Sequence, residues 1–258
     1  LRDGLTDKAK NRAVARLATV ATEGLCTTRC DYGQSPTGCR AGYQCQVAAR
    51  YNDDETEVYV CVPGDDDPFQ LSACHEELVA RGIPFTPAVQ PLDHPEGMPD
   101  VTCIIDDPIW VAPELASVRF RPASPDAEPA AMFTACPHAL AMVDSAEVMA
   151  ELGIPDLIHY AIYNCRVIAG TSTLSQHGLA NAIDIAGLTL DDTSYITILD
   201  DWEKDEPNPM TEAGMLLREF VETLFYDGIY NIILTPDYNA AHADHFHCDL
   251  TEGGMTLH

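Results

Sequence analysis

Two short segments hold most of the side chains that could do chemistry. One is Ser175-Gln-His177-Gly-Leu-Ala-Asn-Ala-Ile-Asp184, and the other is His242-Ala-Asp-His-Phe-His247 near the end of the chain. Together they offer four histidines and two aspartates. His177 precedes, and Asp184 lies inside, a short strand candidate at Asn181 to Ile185. No H-E-x-x-H occurs, so the spacing implies a loop-plus-strand site and not the helical histidine pair of a zincin. In a strand, residues two apart face the same way, so His245 and His247 present both rings on one side. One can bind a metal while the other stands beside it. A His/Asp/His set with an open fourth position is what catalytic zinc requires, since bonds of about 2.0–2.2 Å leave room for a water whose pKa falls toward about 7. The remaining histidines are then free to shuttle protons. A lone terminal His-x-His can bind metal adventitiously; its pairing with Ser-x-His-x6-Asp points to a built site.

The elements that must bring these segments together are read from periodicity. Tyr160 to Ile168 has strand character and leads through Gly170-Thr-Ser-Thr into the first segment. Further strands are expected at Val101 to Ile105, Ser117 to Phe120, Ser194 to Leu199, Tyr230 to Leu234 and His245 to Leu250. Helices are expected at Phe69 to Gly82 and Pro137 to Leu152, the latter with Leu140, Val143, Val148 and Met149 on its apolar side. The most regular helix runs from Thr211 to Tyr226. Its rows Leu216-Phe220-Leu224 and Leu217-Val221-Phe225 mark a core helix. Before these lie a helix at Leu5 to Glu23, in an opening stretch that holds five of the fourteen basic residues (Arg2, Lys8, Lys10, Arg12 and Arg16), and a cysteine-rich segment with Cys26, Cys30, Cys39 and Cys45, followed by the alternating Glu57 to Val62. Pro63-Gly-Asp-Asp-Asp-Pro68 is turn-rich and divides the chain into residues 1–65 and 66–258.

With 258 residues, the chain suits one main domain and a small accessory module. A formal net charge of -27 opposes phosphate-backbone binding, so nucleic acid is not an expected partner; such acidity serves solubility, or reflects a saline or calcium-rich exterior. No apolar run is long enough to span a membrane. Ten cysteines without a CxxC pair read as disulfides in an oxidising compartment, and a start at Leu1 fits a processed or truncated secreted product. Five cysteines precede Pro63 and five follow it, so either one bridge crosses the boundary or each part keeps a free thiol. Cys165 and Cys248 flank the two halves of the site and form a plausible clamp, with Cys136 competing for the same partner; soft zinc ligation by them is the alternative.

Ser175-x-His177-x6-Asp184 followed by His242-x2-His245-x-His247 resembles the signature of the lysostaphin, D-Ala-D-Ala peptidase and hedgehog-type (LAS) zinc peptidases. The three-histidine ending is similar to that of the penicillin-insensitive murein endopeptidases. More closely, Tyr163-Asn-Cys-Arg166, Leu174-Ser-Gln-His-Gly-Leu-Ala-Asn-Ala-Ile-Asp-Ile-Ala-Gly187 and Pro236-Asp-Tyr-Asn-Ala-Ala-His-Ala-Asp-His-Phe-His247 resemble the bacterial extensin-like C-terminal family, over about residues 70 to 250. The resemblance implies Zn2+ held by His177, Asp184 and His247. It implies His245 as the catalytic base or transition-state stabiliser, with His242 in support. Asp244 occupies the place of a catalytic Glu of the D-Ala-D-Ala enzymes, but is shorter and set to orient a ring. Arg166, together with Ser175, is assigned to the substrate side. The chain departs from those enzymes at Ala180, where they usually show Gly, which bears on the width of the substrate cleft.

The expected architecture is α+β: a small antiparallel sheet flanked by helices and carrying a zinc site, preceded by a small disulfide-rich module. The implied activity is zinc-dependent hydrolysis of peptidoglycan peptides at a D-amino-acid amide bond, in a secreted, periplasmic or envelope-associated bacterial protein. The rival expectation is a secreted zinc-binding envelope protein without peptidase activity, because such a constellation can hold zinc in a pure binding protein.

Overall fold

A computed structural model describes residues 43–50, 53–63, 71–124, 126–190 and 194–258. The expected helix at Leu5 to Glu23, the cysteines at 26, 30 and 39 and most of the Pro63 to Pro68 boundary lie outside the described residues. The chain divides into two compact units, Leu1–Ala73 and Cys74–His258. In the first, β1 (Tyr43–Arg50) and β2 (Asp53–Pro63) form an antiparallel hairpin whose register sets Cys45 opposite Cys61.

The second unit is α+β, with antiparallel sheets flanked by helices. Its main sheet orders β13 (Thr256–Leu257), β11 (Ile232–Leu234), β12 (Phe246–Asp249), β9 (Ala182–Thr189), β8 (Asp156–His159), β6 (Val118–Pro122) and β5 (Glu114–Leu115), with β10 (Tyr195–Thr197) also paired to β9. Two pairs, β6 with β8 and β11 with β13, run parallel. A second sheet orders β3 (Phe85–Pro87), β4 (Pro108–Val111) and β7 (Met132–Ala135).

Helix α1 is Ala73–Ala80, α2 is Cys136–Glu151, α3 is Ile198–Asp201 and α4 is Glu212–Tyr226. Helix α4 forms where its apolar rows predict. It buries Leu217, Phe220, Val221 and Leu224, each worth about 1.5–3 kcal/mol of transfer free energy. Its first turn is closed by the Thr211 hydroxyl, which accepts from the Gly214 N–H at 3.0 Å. Helix α2 buries Val143 and Met149 as expected, with Ala139, Met142 and Ala146 beside them, while Leu140 and Val148 pack at its margin. No helix among the described residues is long and apolar enough to cross a membrane.

Three expectations are corrected. Val101 to Ile105 is not a strand. The Gln90 side chain takes its hydrogen bonds instead, donating to the Cys103 carbonyl at 3.0 Å and accepting from the Ile105 N–H at 3.1 Å. Tyr160 to Ile168 is not a strand either: the strand lies just before it, as β8, and the segment itself is irregular apart from a bridge between Val167 and Leu174. Its backbone groups serve the site below, and its Cys165 is tied to Cys103.

That bond is part of the third correction. Cys103 pairs with Cys165 and Cys74 with Cys136, while Cys248 is a buried free thiol. Alternation along β12 explains it, since Phe246 and Cys248 turn into the core while His247 turns to the other face. Cys248 therefore cannot reach Cys165.

Candidate metal centre

Strand pairing places the first two donors. Asp184 on β9 stands directly opposite His247 on β12, and cross-strand partners put their side chains side by side on one face. The third donor, His177, comes from a single 3-10 turn, Gln176–Leu179, just before β9. The Ser175 hydroxyl starts that turn by accepting from the His177 N–H at 3.3 Å. Ala180 ends it in the left-handed conformation, with φ 51° and ψ 35°. Glycine is the residue that enters this region without a Cβ penalty. Ala180 is fully buried, so its side chain lines no open cleft.

His177 Nε2, Asp184 Oδ1 and His247 Nδ1 lie 3.0–3.1 Å from one another. A tetrahedral ion with bonds of about 2.0 Å would place its donors about 3.3 Å apart, so the trio fits one and could hold a metal ion. Tautomers strengthen that reading. His177 Nδ1 lies 3.0 Å from the Ile162 carbonyl, which can only accept, so Nδ1 carries the proton and Nε2 presents a lone pair. His247 Nε2 donates to Asp249 Oδ2 at 2.9 Å, which leaves Nδ1 as its inward atom. Three acceptors thus converge on one point, and only a cation relieves them. Without a metal that cation is a proton. Burial alone would lower the His247 pKa, but its bonds to Asp184 and Asp249 push it up to about 9. Burial would likewise raise Asp184, yet the two histidines hold it well below the usual carboxylate range.

The remaining histidines stand at the mouth. His245 Nδ1 bonds Asp244 Oδ1 at 2.9 Å, and its Nε2 lies 3.6 Å from Asp184 Oδ1, turned toward the trio. His242 is 5.1 Å from His245 and 6.0 Å from His247 between ring centroids, with Nδ1 bonded to Asn239 Oδ1 at 2.9 Å. Burial first, then the charges of His245 and His247, lower its pKa to about 4, so it stays neutral. The guanidinium of the exposed Arg166 has no hydrogen-bond or ion-pair partner among the described residues, although its charge reaches His242. Ser175 is buried, and its hydroxyl is engaged in capping.

Outer contacts hold the donors. Cys103–Cys165 anchors the segment that supplies the Ile162 carbonyl, and the Asn164 N–H donates to the His177 carbonyl at 3.0 Å. Gly178 lets the turn lie close beneath it: a Cβ there would sit 3.2 Å from the Arg166 carbonyl oxygen and 3.3 Å from Cys103 Sγ. Asp249 was not among the residues singled out from the sequence. Its signal was available, because it continues the alternation of His245 and His247.

Fold and site together define an α+β domain with a His/Asp/His group, His177 buried and Asp184 and His247 half-buried, able to hold a metal ion across a strand pair. Residues 72–257 match the profile of the Extensin-like protein C-terminus, and the chain belongs to that family. No curated protein and no protein of solved structure matches it significantly.

Proposed function

We propose that the domain is a zinc-dependent hydrolase of peptidoglycan peptides, acting at a D-amino-acid amide bond in the bacterial cell envelope or outside it. The observation that carries this reading is the juxtaposition of the donor trio with His245, whose ring is backed by Asp244. A purely structural site has no use for an oriented histidine at its mouth. The donor spacing also resembles that of the LAS-type zinc peptidases, and the two disulfides suit an oxidising compartment.

Zinc at the trio supplies a Lewis acid that makes water a nucleophile near neutral pH. The chain's own residues do the rest. His245, with Nδ1–H held by Asp244, offers the Nε2 lone pair to take a proton from the attacking water and return it to the leaving amine. His242, neutral beside it, keeps the mouth from accumulating positive charge. Arg166, free of ion pairs among the described residues, can take a substrate carbonyl or carboxylate.

The test is incubation of the zinc-loaded protein with purified muropeptides, with mass spectrometry of the products. Cleavage lost in His245→Ala, while one equivalent of zinc remains bound, is the expected result. Stoichiometric zinc without cleavage favours the envelope-binding alternative, and no retained zinc after dialysis overturns both.

A further inference from the structure

The register of the main sheet sets chain from four strands abreast at the trio. Leu234 of β11 pairs with His247 of β12, and His247 pairs with Asp184 of β9. On the far side, the Asp184 carbonyl accepts from the Tyr160 N–H at 2.9 Å, one residue beyond the end of β8. Asp184 and His247 therefore hold the middle of a row that runs across the strands at about 4.8 Å per step, with chain from β8 and β11 on either flank. Each flank carries a tyrosine. Tyr160 directly follows β8, and Tyr238 comes four residues after β11, its N–H donating to the Thr235 carbonyl at 3.0 Å.

The rings repeat that order across the mouth. Tyr160 meets His245 edge-on, with centroids 6.0 Å apart. His245 stands 5.1 Å from His242, and His242 stands 5.5 Å from Tyr238, which also meets His258 at 5.2 Å. The two histidines of the mouth thus lie between the two tyrosines. Tyr160 is nevertheless 50% exposed and Tyr238 46% exposed. A ring left half in water forgoes the burial that would stabilise it, and here two such rings are pinned beside the trio by backbone hydrogen bonds and ring contacts. A rigid ring with an apolar face and a polar tip adds contact area at small entropic cost when a ligand covers it.

We infer that Tyr160 and Tyr238 are substrate-binding residues, one on each side of the metal-binding trio, and that the substrate is an extended peptide which crosses the strands and runs past the metal in both directions. That the ligand is a peptide rests on the hydrolase reading above; the two-sided track rests on the sheet register and the rings. Tyrosine suits this occupant, since its ring packs on small apolar side chains and its hydroxyl bonds main-chain amides. A pocket for a terminal residue needs one closed flank, whereas both flanks here end in exposed rings. The track therefore takes a bond inside a chain.

Two synthetic, sugar-free stem peptides with the same D-alanyl amide bond test this. One extends by several residues on both sides of that bond, and the other ends one residue beyond it. Each is added to the zinc-loaded full chain of the wild type, Tyr160→Ala and Tyr238→Ala, with cleavage followed by mass spectrometry and binding by calorimetry. In the wild type, KM for the extended peptide should lie about tenfold below that for the short one. Each variant should keep one equivalent of zinc, raise KM for the extended peptide about tenfold and leave kcat within about twofold. One of the two should no longer tell the peptides apart, because the ring on that flank has nothing to hold in the short one. A wild type that handles both peptides equally overturns the track, as do variants with the KM of the wild type. So does a variant that loses its zinc, or loses kcat alone, since its ring then supports the site and not the substrate. If neither peptide is cleaved, the affinities carry the same comparison. Binding of the extended peptide weakened about tenfold in both variants upholds the track and removes the hydrolase reading, while equal binding in all three proteins, or none, overturns the track.

Discussion

His247 is held from both sides, by Asp184 at Nδ1 and by Asp249 at Nε2. The Asp249 carboxylate is itself fixed, since its Oδ1 accepts from the Thr251 N–H at 2.8 Å. Carboxylate–histidine pairs of this kind raise ligand basicity and lock ring orientation. Asp249→Asn keeps the shape and removes the charge, so metal affinity should fall by about ten- to a hundredfold with the stoichiometry still one. Competition against a chromophoric chelator measures it, and an unchanged affinity would show Asp249 to be a bystander. Residue type and spacing marked the two segments as a metal-site candidate because chemistry restricts the donors, whereas the choice of His247 over His245 came from the family resemblance. Partners such as the Ile162 carbonyl were not legible, since any residue can supply a carbonyl.

Among the elements, legibility followed periodicity. Helix α4 lies where its rows predict because its burial comes from one wide face, whereas Tyr160 to Ile168 reads as a strand yet is spent on holding Asp184 and His177. Strand β9 runs past its expected end to Thr189, and Gly187 allows its neighbour to approach. A Cβ on Gly187 would lie 2.4 Å from the Ile196 carbonyl oxygen of β10. Gly187→Ala must therefore push the strands apart, and a loss of about 1–3 kcal/mol is expected from thermal unfolding, with zinc stoichiometry retained. A stability equal to wild type would contradict the packing. The two disulfides make a paired test. Each closes a sequence separation of 62 residues, so removing either should cost about 4 kcal/mol on the chain-entropy account. Only the Cys103→Ser/Cys165→Ser protein should also lose metal affinity, because only that bridge anchors the segment behind His177. Equal affinity losses in both double variants would count against this division of roles.

For the whole molecule, the α+β architecture could be read from pattern alone, but the partners of the cysteines could not. Sequence proximity favoured Cys165 with Cys248, and sheet alternation turned Cys248 inward. The same burial governs the response to pH. His138 is fully buried with its Nδ1 on the Thr134 hydroxyl at 2.8 Å, and burial lowers its pKa to about 3. Burial lowers His159 to about 4. Both rings must be neutral in the fold but take a proton near pH 6.5 once unfolded. The unfolded state therefore binds more protons below about pH 6.5, and stability drains away as pH falls from there toward 4. His247 works in the opposite direction in chelator-treated protein. With its pKa raised to about 9, its contribution is complete below 6.5 and is lost as pH rises through 9. The metal-free melting temperature should accordingly peak near pH 6.5 and decline on both sides. Zinc removes the alkaline decline by replacing the proton at the trio. His159→Gln should make the acid decline shallower without touching the alkaline one. Calorimetric scans at a series of pH values, with and without zinc, decide the matter: a melting temperature flat from pH 7 to 5, or an alkaline decline that zinc leaves in place, would refute this assignment of the buried histidines.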